Sequence, residues 1–219
     1  MSGKCYSGIH TPHPCAEEPP DGTVIWRYTN FVKLLSLLDT QNLFFSSIRS
    51  LQAADPFEGK WSVGHWKSYT KDKSTEELQQ TAEFIQAIEN AAELLAPYTY
   101  VNCWHQSSHE SQAMWKLYGN EIAIKSTFSR LKNAFVSENE HTISVVIGAV
   151  QYIDYEDDPM SALDEHGLNM FYAPFRKNKS YAHEQELRAV LFVPEQGDRP
   201  PLSEEEIEAL RIESKGRLL

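Results

Sequence analysis

The sequence predicts a single α+β domain with a mostly antiparallel or mixed sheet and flanking helices. Hydrophobic residues make up 41% of the 219 residues and aromatic residues 11%, which suffices for one packed core. Helical and strand-like segments are interspersed, but the strands are too irregularly spaced for successive βαβ units. No glycine-rich phosphate loop joins a strand to a helix, which argues against Rossmann and P-loop folds.

The first elements are short. Residues 23–28, TVIWRY, are rich in β-branched and aromatic side chains and predict a strand. Asn30 follows as a candidate cap for a helix with apolar residues at helical spacing. Residues 43–47 predict a second strand. The next segment is expected to be a loop or a short helix, broken by Pro56 and Gly59.

The clearest helix covers residues 74–95. Ser74 is the predicted N-cap, and Glu77 completes a capping box. Pro97 is expected to end the helix. Its apolar positions mark one face: Leu78, Ala82, Ile85, Ile88, Ala92 and Leu95.

Four further strands and two helices are predicted between this helix and residue 195. The strands cover 98–104, 121–126, 142–155 and 184–193, and the helices cover 111–118 and 127–135. A β-bulge is expected near Gly148.

The predicted domain has two less regular ends. Residues 1–22 lack periodicity and are expected to form a loose N-terminal arm. Residues 23–195 form the single α+β domain, and residues 196–219 are expected to form an acidic helix and tail. No internal repeat or low-complexity linker divides the chain.

Charge and composition exclude several classes. The net charge is −11 and no block of Lys and Arg stands out, so nucleic-acid binding is not expected. No apolar run approaches the roughly 18 residues of a membrane span, and the first residues lack a secretory signal. Three cysteines without framework spacing suit a reducing compartment, so a cytoplasmic location is predicted.

The stretch SYAHEQELRAV, residues 180–190, carries the main candidate site. On a strand, Glu184, Glu186 and Arg188 share one face. One interpretation is a solvent-facing rung in which Arg188 pairs with Glu186. The other is a carboxylate that holds a substrate hydroxyl while Arg188 fixes its rotamer. Cations just upstream could offset the repulsion between the two carboxylates or bind an anion. They are Arg176, Lys177 and Lys179.

A second set of polar residues lies on the first two predicted strands. Arg27, with Tyr28 beside it, sits in an otherwise apolar strand and must either reach solvent or meet an anion. Ser46 and Ser47 point to opposite faces, so only one of them can share a pocket with Arg27. Ordinary polar positions on an edge strand are the alternative interpretation.

Metal-type residues occur without metal-type spacing, so no metal is expected. The set Cys5, His10, His13 and Cys15 fits no usual zinc pattern, and His105 and His109 lie in a predicted loop. Asp55 and Glu58, in the DPFEG segment, are expected to serve a turn. Cys103 beside His105 is better explained as a small buried residue than as a nucleophile.

Several blocks resemble domain-of-unknown-function family 2971, which is found in bacteria and their mobile elements. The resemblance covers residues 24–193 and assigns no function. The blocks are WRYTNF, LFFSSIRSLQAADPFEG, VNCWHQSSHESQAMWKLYG, EIAIKSTFSRLKNAF, GAVQYIDY and RKNKSYAHEQELRAV.

The order of Arg27, the serine strand and the late Glu-x-Glu also resembles the plan of ADP-ribosyltransferases. This resemblance implies an ADP-ribosyltransferase-like fold and NAD as substrate. It implies that Arg27 and Tyr28 contact NAD, and that Ser46 or Ser47 positions the carboxylate. Glu186 would be the essential acid, and Glu184 would help to activate the acceptor. The aromatic residues expected to flank the nicotinamide are Phe57, Tyr98 and Trp104.

The sequence therefore predicts an NAD-dependent ADP-ribosyltransferase or NAD glycohydrolase of the toxin or defence type, with an unknown acceptor. One alternative is a non-catalytic binding or regulatory module that acts through a protein partner. A further alternative is a hydrolase that uses a divalent ion on Asp55, Glu58 and Glu186.

Overall fold

The computed structural model describes residues 5–118, 121–135, 142–158, 171–193 and 217–218. They form an α+β domain around a mixed, mostly antiparallel sheet, which confirms the predicted fold class. The strands are β1 Cys5–His10, β2 Val24–Thr29, β3 Leu43–Phe44, β4 Ser46–Ser47, β5 Thr99–Gln106, β6 Ile122–Thr127, β7 Thr142–Ala149, β8 Gln151–Ile153, β9 Arg176–Asn178, β10 Glu186–Phe192 and β11 Arg217–Leu218.

Nine of these strands form the main sheet. Its order is β3-β11-β1-β7-β10-β5-β2-β6, with β4 also paired to β5. β10 lies between β7 and β5 and is antiparallel to both, while β1 runs parallel to β7. Leu187, Ala189 and Val190 of β10 are fully buried, so this strand is the centre of the core. β8 and β9 form a separate parallel pair.

The sheet divides along one edge of β5. β2 pairs with its end at His105 and Gln106, whereas β4 pairs with Tyr100 and Val101. Residues 102–104 lie between these two pairings. β2 and β4 therefore diverge on either side of this segment, and the candidate site lies at that divergence.

Helices flank the sheet. They are α1 Phe31–Thr40, α2 Ile48–Leu51, α3 Val63–Thr70, α4 Thr75–Leu95, α5 Gln112–Tyr118 and α6 Phe128–Asn133, with 3-10 helices at Ala173–Phe175 and Lys179–Glu184. The Asn30 side chain caps α1 by accepting from the Lys33 amide at 2.9 Å. Ser74 and Glu77 form the predicted capping box of α4. Thr81 is the one buried residue of α4 among those described. On the predicted apolar face Leu78 and Ala82 are exposed, and the other four residues are half-buried: Ile85, Ile88, Ala92 and Leu95. No helix within the described residues combines the length and the apolar character that a membrane crossing requires.

The N-terminal residues differ from the predicted loose arm. β1 pairs with β7, and the Thr11 amide donates to the Val145 carbonyl at 2.9 Å. Ala16 is buried against Gly148, where an added Cβ would stand 2.6 Å from the Ala16 Cβ. β7 continues through Gly148 rather than bulging there. The glycine is needed because the N-terminal segment crosses the sheet at van der Waals contact.

Three predicted strands have different limits. The strand at 43–47 divides into β3 and β4, since Phe45 turns into the core. The strand at 142–155 divides at Val150 into β7 and β8. The strand at 184–193 begins only at Glu186, because Gln185 adopts a left-handed conformation with φ of 42°. The acidic helix predicted within 196–219 falls outside the described residues.

Candidate functional site

A cleft of about 280 Å³ lies where β2 and β4 diverge from β5. This volume is near the lower limit of small-molecule pockets, roughly 300–1,000 Å³. Its walls come from β2, β4, β5 and β10, from the turn after α2, and from the end of α5. The polar lining residues are Arg27, Tyr28, Ser46, Asp55, Glu58, Cys103, His105, Tyr118, Lys177, Tyr181, Glu184, Glu186 and Arg188.

Arg27 lines this cleft from β2 and is only partly engaged. Trp26 and Glu186 both stand opposite His105, so the Arg27 side chain leaves β2 on the other face of the sheet from Glu186, where it also lines a groove against α1. Arg27 Nη2 donates to the Phe44 carbonyl at 3.3 Å, and its guanidinium carbon lies 5.8 Å from the centre of the Trp104 ring. Asn102 donates to the same Phe44 carbonyl at 2.8 Å, which ties β3 to β5. Arg27 Nη1 is buried and has no hydrogen-bond partner among the described residues. Burial lowers the pKa of Arg27.

Glu184 is held from three directions. It is 2% exposed and ends the 3-10 helix that precedes Gln185. The Tyr118 hydroxyl donates to its Oε1, and the Lys177 ammonium donates to its Oε2. His105 Nδ1 lies 2.5 Å from the Glu184 carbonyl oxygen. The left-handed turn thus brings Glu184 beside the start of β10 although it does not lie on that strand.

Glu186 and Arg188 form a buried ion pair on β10. Arg188 donates to Glu186 Oε2 from Nε at 3.2 Å and from Nη2 at 2.9 Å. Lys177 donates to the same oxygen at 3.3 Å, so Oε1 accepts none of these three bonds. The Glu186 amide donates to the Tyr152 hydroxyl at 2.8 Å. Together these contacts fix the side chain and the backbone of Glu186.

Glu58 completes the network from the turn after α2. Arg188 donates to its two oxygens at 2.5 and 2.9 Å, and also to the Pro174 carbonyl at 2.6 Å. Glu58, Glu184 and Glu186 therefore share the two cations Lys177 and Arg188. The formal charge of this network is −1, a favourable potential for positive charge in a ligand.

The network shifts the pKa values of its members. Burial alone would raise the pKa of Glu186, but the charges of Arg188 and Lys177 hold it below its ordinary value. Burial alone would lower the pKa of Lys177, but Glu186 and Glu184 raise it. Glu186 is thus a carboxylate at neutral pH, suited to electrostatic stabilisation rather than to donating a proton.

Six of the eight predicted site residues line this one cleft, and two do not. The six are Arg27, Tyr28, Ser46, Glu184, Glu186 and Arg188. Ser47 instead caps α2, accepting from the Ser50 amide at 3.2 Å. Phe57 is 46% exposed and packs against Tyr155 at 5.2 Å between ring centroids.

One interpretation of this strand, in which Glu186 and Arg188 pair on a solvent-facing surface, is wrong because both side chains are buried. Arg188 does pair with Glu186, but they are 0% and 6% exposed. These side chains are buried because Glu58, Lys177 and Pro174 cover that face of β10. Lys177 has the charge-neutralising role considered for the upstream cations.

The candidate metal residues take other roles. The described residues contain no group of three or more His, Cys, Asp or Glu side chains placed to hold a metal ion. His10 pairs with Glu18 at 3.0 Å, and His109 lies in an exposed loop apart from buried His105. Burial raises the pKa of the Cys103 thiol, which donates to Glu186. A raised pKa disfavours the thiolate, so Cys103 is not an activated nucleophile.

Sequence reasoning missed the role of two residues in this site. Tyr118 contacts Glu184 across a sequence separation of 66 residues, and Glu58 contacts Arg188 across 130. The sequence contained one indication of such contacts: an arginine that becomes buried requires more than one hydrogen-bond acceptor.

Comparison with known proteins identified no match for this chain. No family model, curated protein or solved structure matches the chain. Functional inference therefore depends on the cleft itself.

Proposed function

We propose that the cleft binds NAD and that Glu186 supports cleavage of the bond between nicotinamide and ribose. The supporting observation is that Arg27, Ser46 and Glu186 line one cleft although they lie on three different strands. This is the arrangement expected from the resemblance to ADP-ribosyltransferases. Membership of family 2971, the bacterial defence or toxin role and the cytoplasmic location stay predictions.

Arg27 is the proposed anion contact. A buried guanidinium nitrogen without a partner is costly, and a phosphate oxygen supplies a charge-assisted acceptor. The chain carries a net charge of −11, so binding a dinucleotide requires such a local cation. The Trp104 ring, which also lines the cleft, lies against the guanidinium and limits its movement.

Glu186 is the proposed stabiliser of the reacting ribose. When the bond from ribose C1′ to nitrogen breaks, nicotinamide leaves with the bonding electron pair, and positive charge develops on the sugar. A fixed carboxylate in a partly desolvated site favours that charge. Water or an acceptor group then forms the new bond at C1′ and loses a proton, which Glu184 is proposed to accept. Arg188 acts as a positioning residue because it holds Glu186 Oε2.

The non-catalytic binding module remains the second candidate. Its supporting observation is that Glu186 is paired with two cations, as a purely structural carboxylate would be. However, that alternative does not account for a cleft beside Arg27 with a guanidinium nitrogen unpaired. The metal hydrolase receives less support, because Arg188 occupies the space between Glu58 and Glu186 where an ion would bind.

Nicotinamide release from NAD tests the proposal. The wild type is compared with Glu186→Gln, and Glu83→Gln on the exposed face of α4 is the matched control. We expect Glu186→Gln to lower release by about a hundredfold or more, while Glu83→Gln leaves it unchanged. Each variant is checked for folding by circular dichroism.

A second variant is needed because a folding defect in Glu186→Gln would also abolish nicotinamide release. Arg27→Gln removes the guanidinium from a partly exposed residue with a single hydrogen bond, so it is expected to fold. It should raise KM for NAD more than it lowers kcat, because the contact is with a phosphate distant from the reacting bond. Folded wild type that releases no nicotinamide, with or without cell lysate as a source of acceptor, would refute the enzymatic proposal.

A further inference from the structure

The two carboxylate oxygens of Asp55 differ, because one accepts a hydrogen bond and the other accepts none among the described residues. The residue is 5% exposed and lies in the turn after α2. Its Oδ1 accepts from the Phe57 amide at 3.0 Å, which is the turn-capping role expected for this segment. Its Oδ2 is buried and has no hydrogen-bond partner among the described residues.

The unused oxygen is not required for the turn. An asparagine would cap the Phe57 amide equally well through its own Oδ1. Three residues later in the same turn, Glu58 has its oxygens paired with Arg188. Burying a carboxylate oxygen without a partner is costly, so Asp55 weakens the free protein where a neutral side chain would suffice.

Asp55 lines the same cleft as Arg27, the other residue there with a buried unpaired atom. The two groups have opposite charge, yet no salt bridge within 4.0 Å joins them in the described part of the chain. A ligand that satisfies both must carry an anionic group for Arg27 and a hydrogen-bond donor for Asp55.

We infer that Asp55 is a specificity-determining residue that accepts a hydrogen bond from an amide NH2 group of the ligand. This inference rests on NAD as the substrate of the cleft. The cavity of about 280 Å³ holds only part of a dinucleotide, and the reacting end must lie beside Glu186. Glu186 already offers an acceptor to the ribose hydroxyls through Oε1, since the bonds from Lys177 and Arg188 go to its Oε2. The nicotinamide carboxamide is then the donor that remains for Asp55.

The chemistry of this contact makes a sharp selectivity test. Nicotinic acid adenine dinucleotide replaces the carboxamide by a carboxylate, which would meet the unpaired oxygen of Asp55 as a second negative charge. Nicotinamide hypoxanthine dinucleotide retains the carboxamide but lacks the adenine amino group. The first analogue should bind wild type about tenfold to a hundredfold more weakly than NAD, and the second about as well as NAD.

Asp55→Asn is the decisive variant, because it preserves the Phe57 cap and replaces Oδ2 with an amino group. We expect it to lose most of the preference for NAD over the carboxylate analogue, with no fall in melting temperature. A purely structural role predicts a lower melting temperature and unchanged selectivity. Glu83→Gln, distant on α4, is the control and should keep wild-type selectivity.

Calorimetric titration of the three dinucleotides into both proteins separates the outcomes. Preference for NAD in wild type that disappears in Asp55→Asn supports the inference. Preference that persists in Asp55→Asn overturns the inference and leaves NAD as the substrate. Equal affinity of wild type for NAD and the carboxylate analogue also overturns it, without any variant. Wild type that binds none of the three overturns the proposed function and this inference with it.

Discussion

Replacing Glu58 by glutamine tests the buried ion network most severely. Glu58 and Arg188 have side chains 2% and 0% exposed and are joined by two hydrogen bonds. Glutamine keeps the size of the side chain but turns one acceptor into a donor that faces the guanidinium. Removing one partner of a buried ion pair costs about 3–5 kcal/mol. Arg188 keeps Glu186 as a charged partner, but it loses its paired hydrogen bonds to the Glu58 carboxylate and faces the amino group of the glutamine.

The surface offers a matched control. Glu93 pairs with Arg49 at 2.8 Å, and their side chains are 47% and 48% exposed. Such a pair contributes about 0–1 kcal/mol, since water solvates both ions when the pair is broken. Glu58→Gln and Glu93→Gln are thus the same substitution opposite the same residue type, and they differ mainly in burial.

Thermal unfolding followed by circular dichroism measures both variants. For a chain of this length, each 1 kcal/mol shifts Tm by about 2–4 °C, so Glu58→Gln should lower Tm by about 6–20 °C. Glu93→Gln should lower it by about 4 °C at most. Equal shifts of Tm for the two variants would contradict this expectation, since burial would then have no effect on the stability that an ion pair contributes.

Three further predictions concern packing, capping and pH. Gly148→Ala should destabilise the protein by about 1–3 kcal/mol in urea unfolding, because the new Cβ meets Ala16 at 2.6 Å. Gly22→Ala, with no atom within 4 Å of its added Cβ, should have little effect. Ser74→Ala should cost about 1 kcal/mol through loss of the capping box, measured in the same way. The folded-state pKa of Glu186 is lowered, so the stability it adds is present above its ordinary value of 4.5 and lost as pH falls further. Wild type should therefore lose more stability than Glu186→Gln between neutral pH and the acid range.

Each of these predictions has a contradicting result. Similar urea midpoints for the two glycine variants would mean that the N-terminal segment does not cross β7 at Gly148. Unchanged stability of Ser74→Ala would mean that the start of α4 frays. Parallel pH profiles for wild type and Glu186→Gln would mean that the charge of Glu186 is not stabilised by Arg188 and Lys177.

The sequence predicted elements well where the signal is local. Asn30 and Ser74 mark helix starts because a cap and its amide lie within three residues of one another. The two-residue periodicity of β10 predicted that Glu186 and Arg188 lie together. Each of these features depends on residues within one short segment, so it can be predicted from the sequence of that segment.

The sequence could not predict what depends on distant segments. The Glu58–Arg188 pair joins residues 130 positions apart, and no local pattern encodes that contact. The N-terminal residues lack periodicity, yet β1 joins the sheet beside β7. The left-handed conformation of Gln185 brings Glu184 into the cleft, but glutamine is not a residue type that favours this conformation. Tertiary contacts determine each of these features.

Direct titration of NAD into wild type and Arg27→Gln tests whether this cleft is an NAD site. We expect a single saturable site in wild type that Arg27→Gln weakens about tenfold or more, because Nη1 loses its proposed phosphate partner. Absence of binding to folded wild type, or binding that Arg27→Gln does not change, would contradict it.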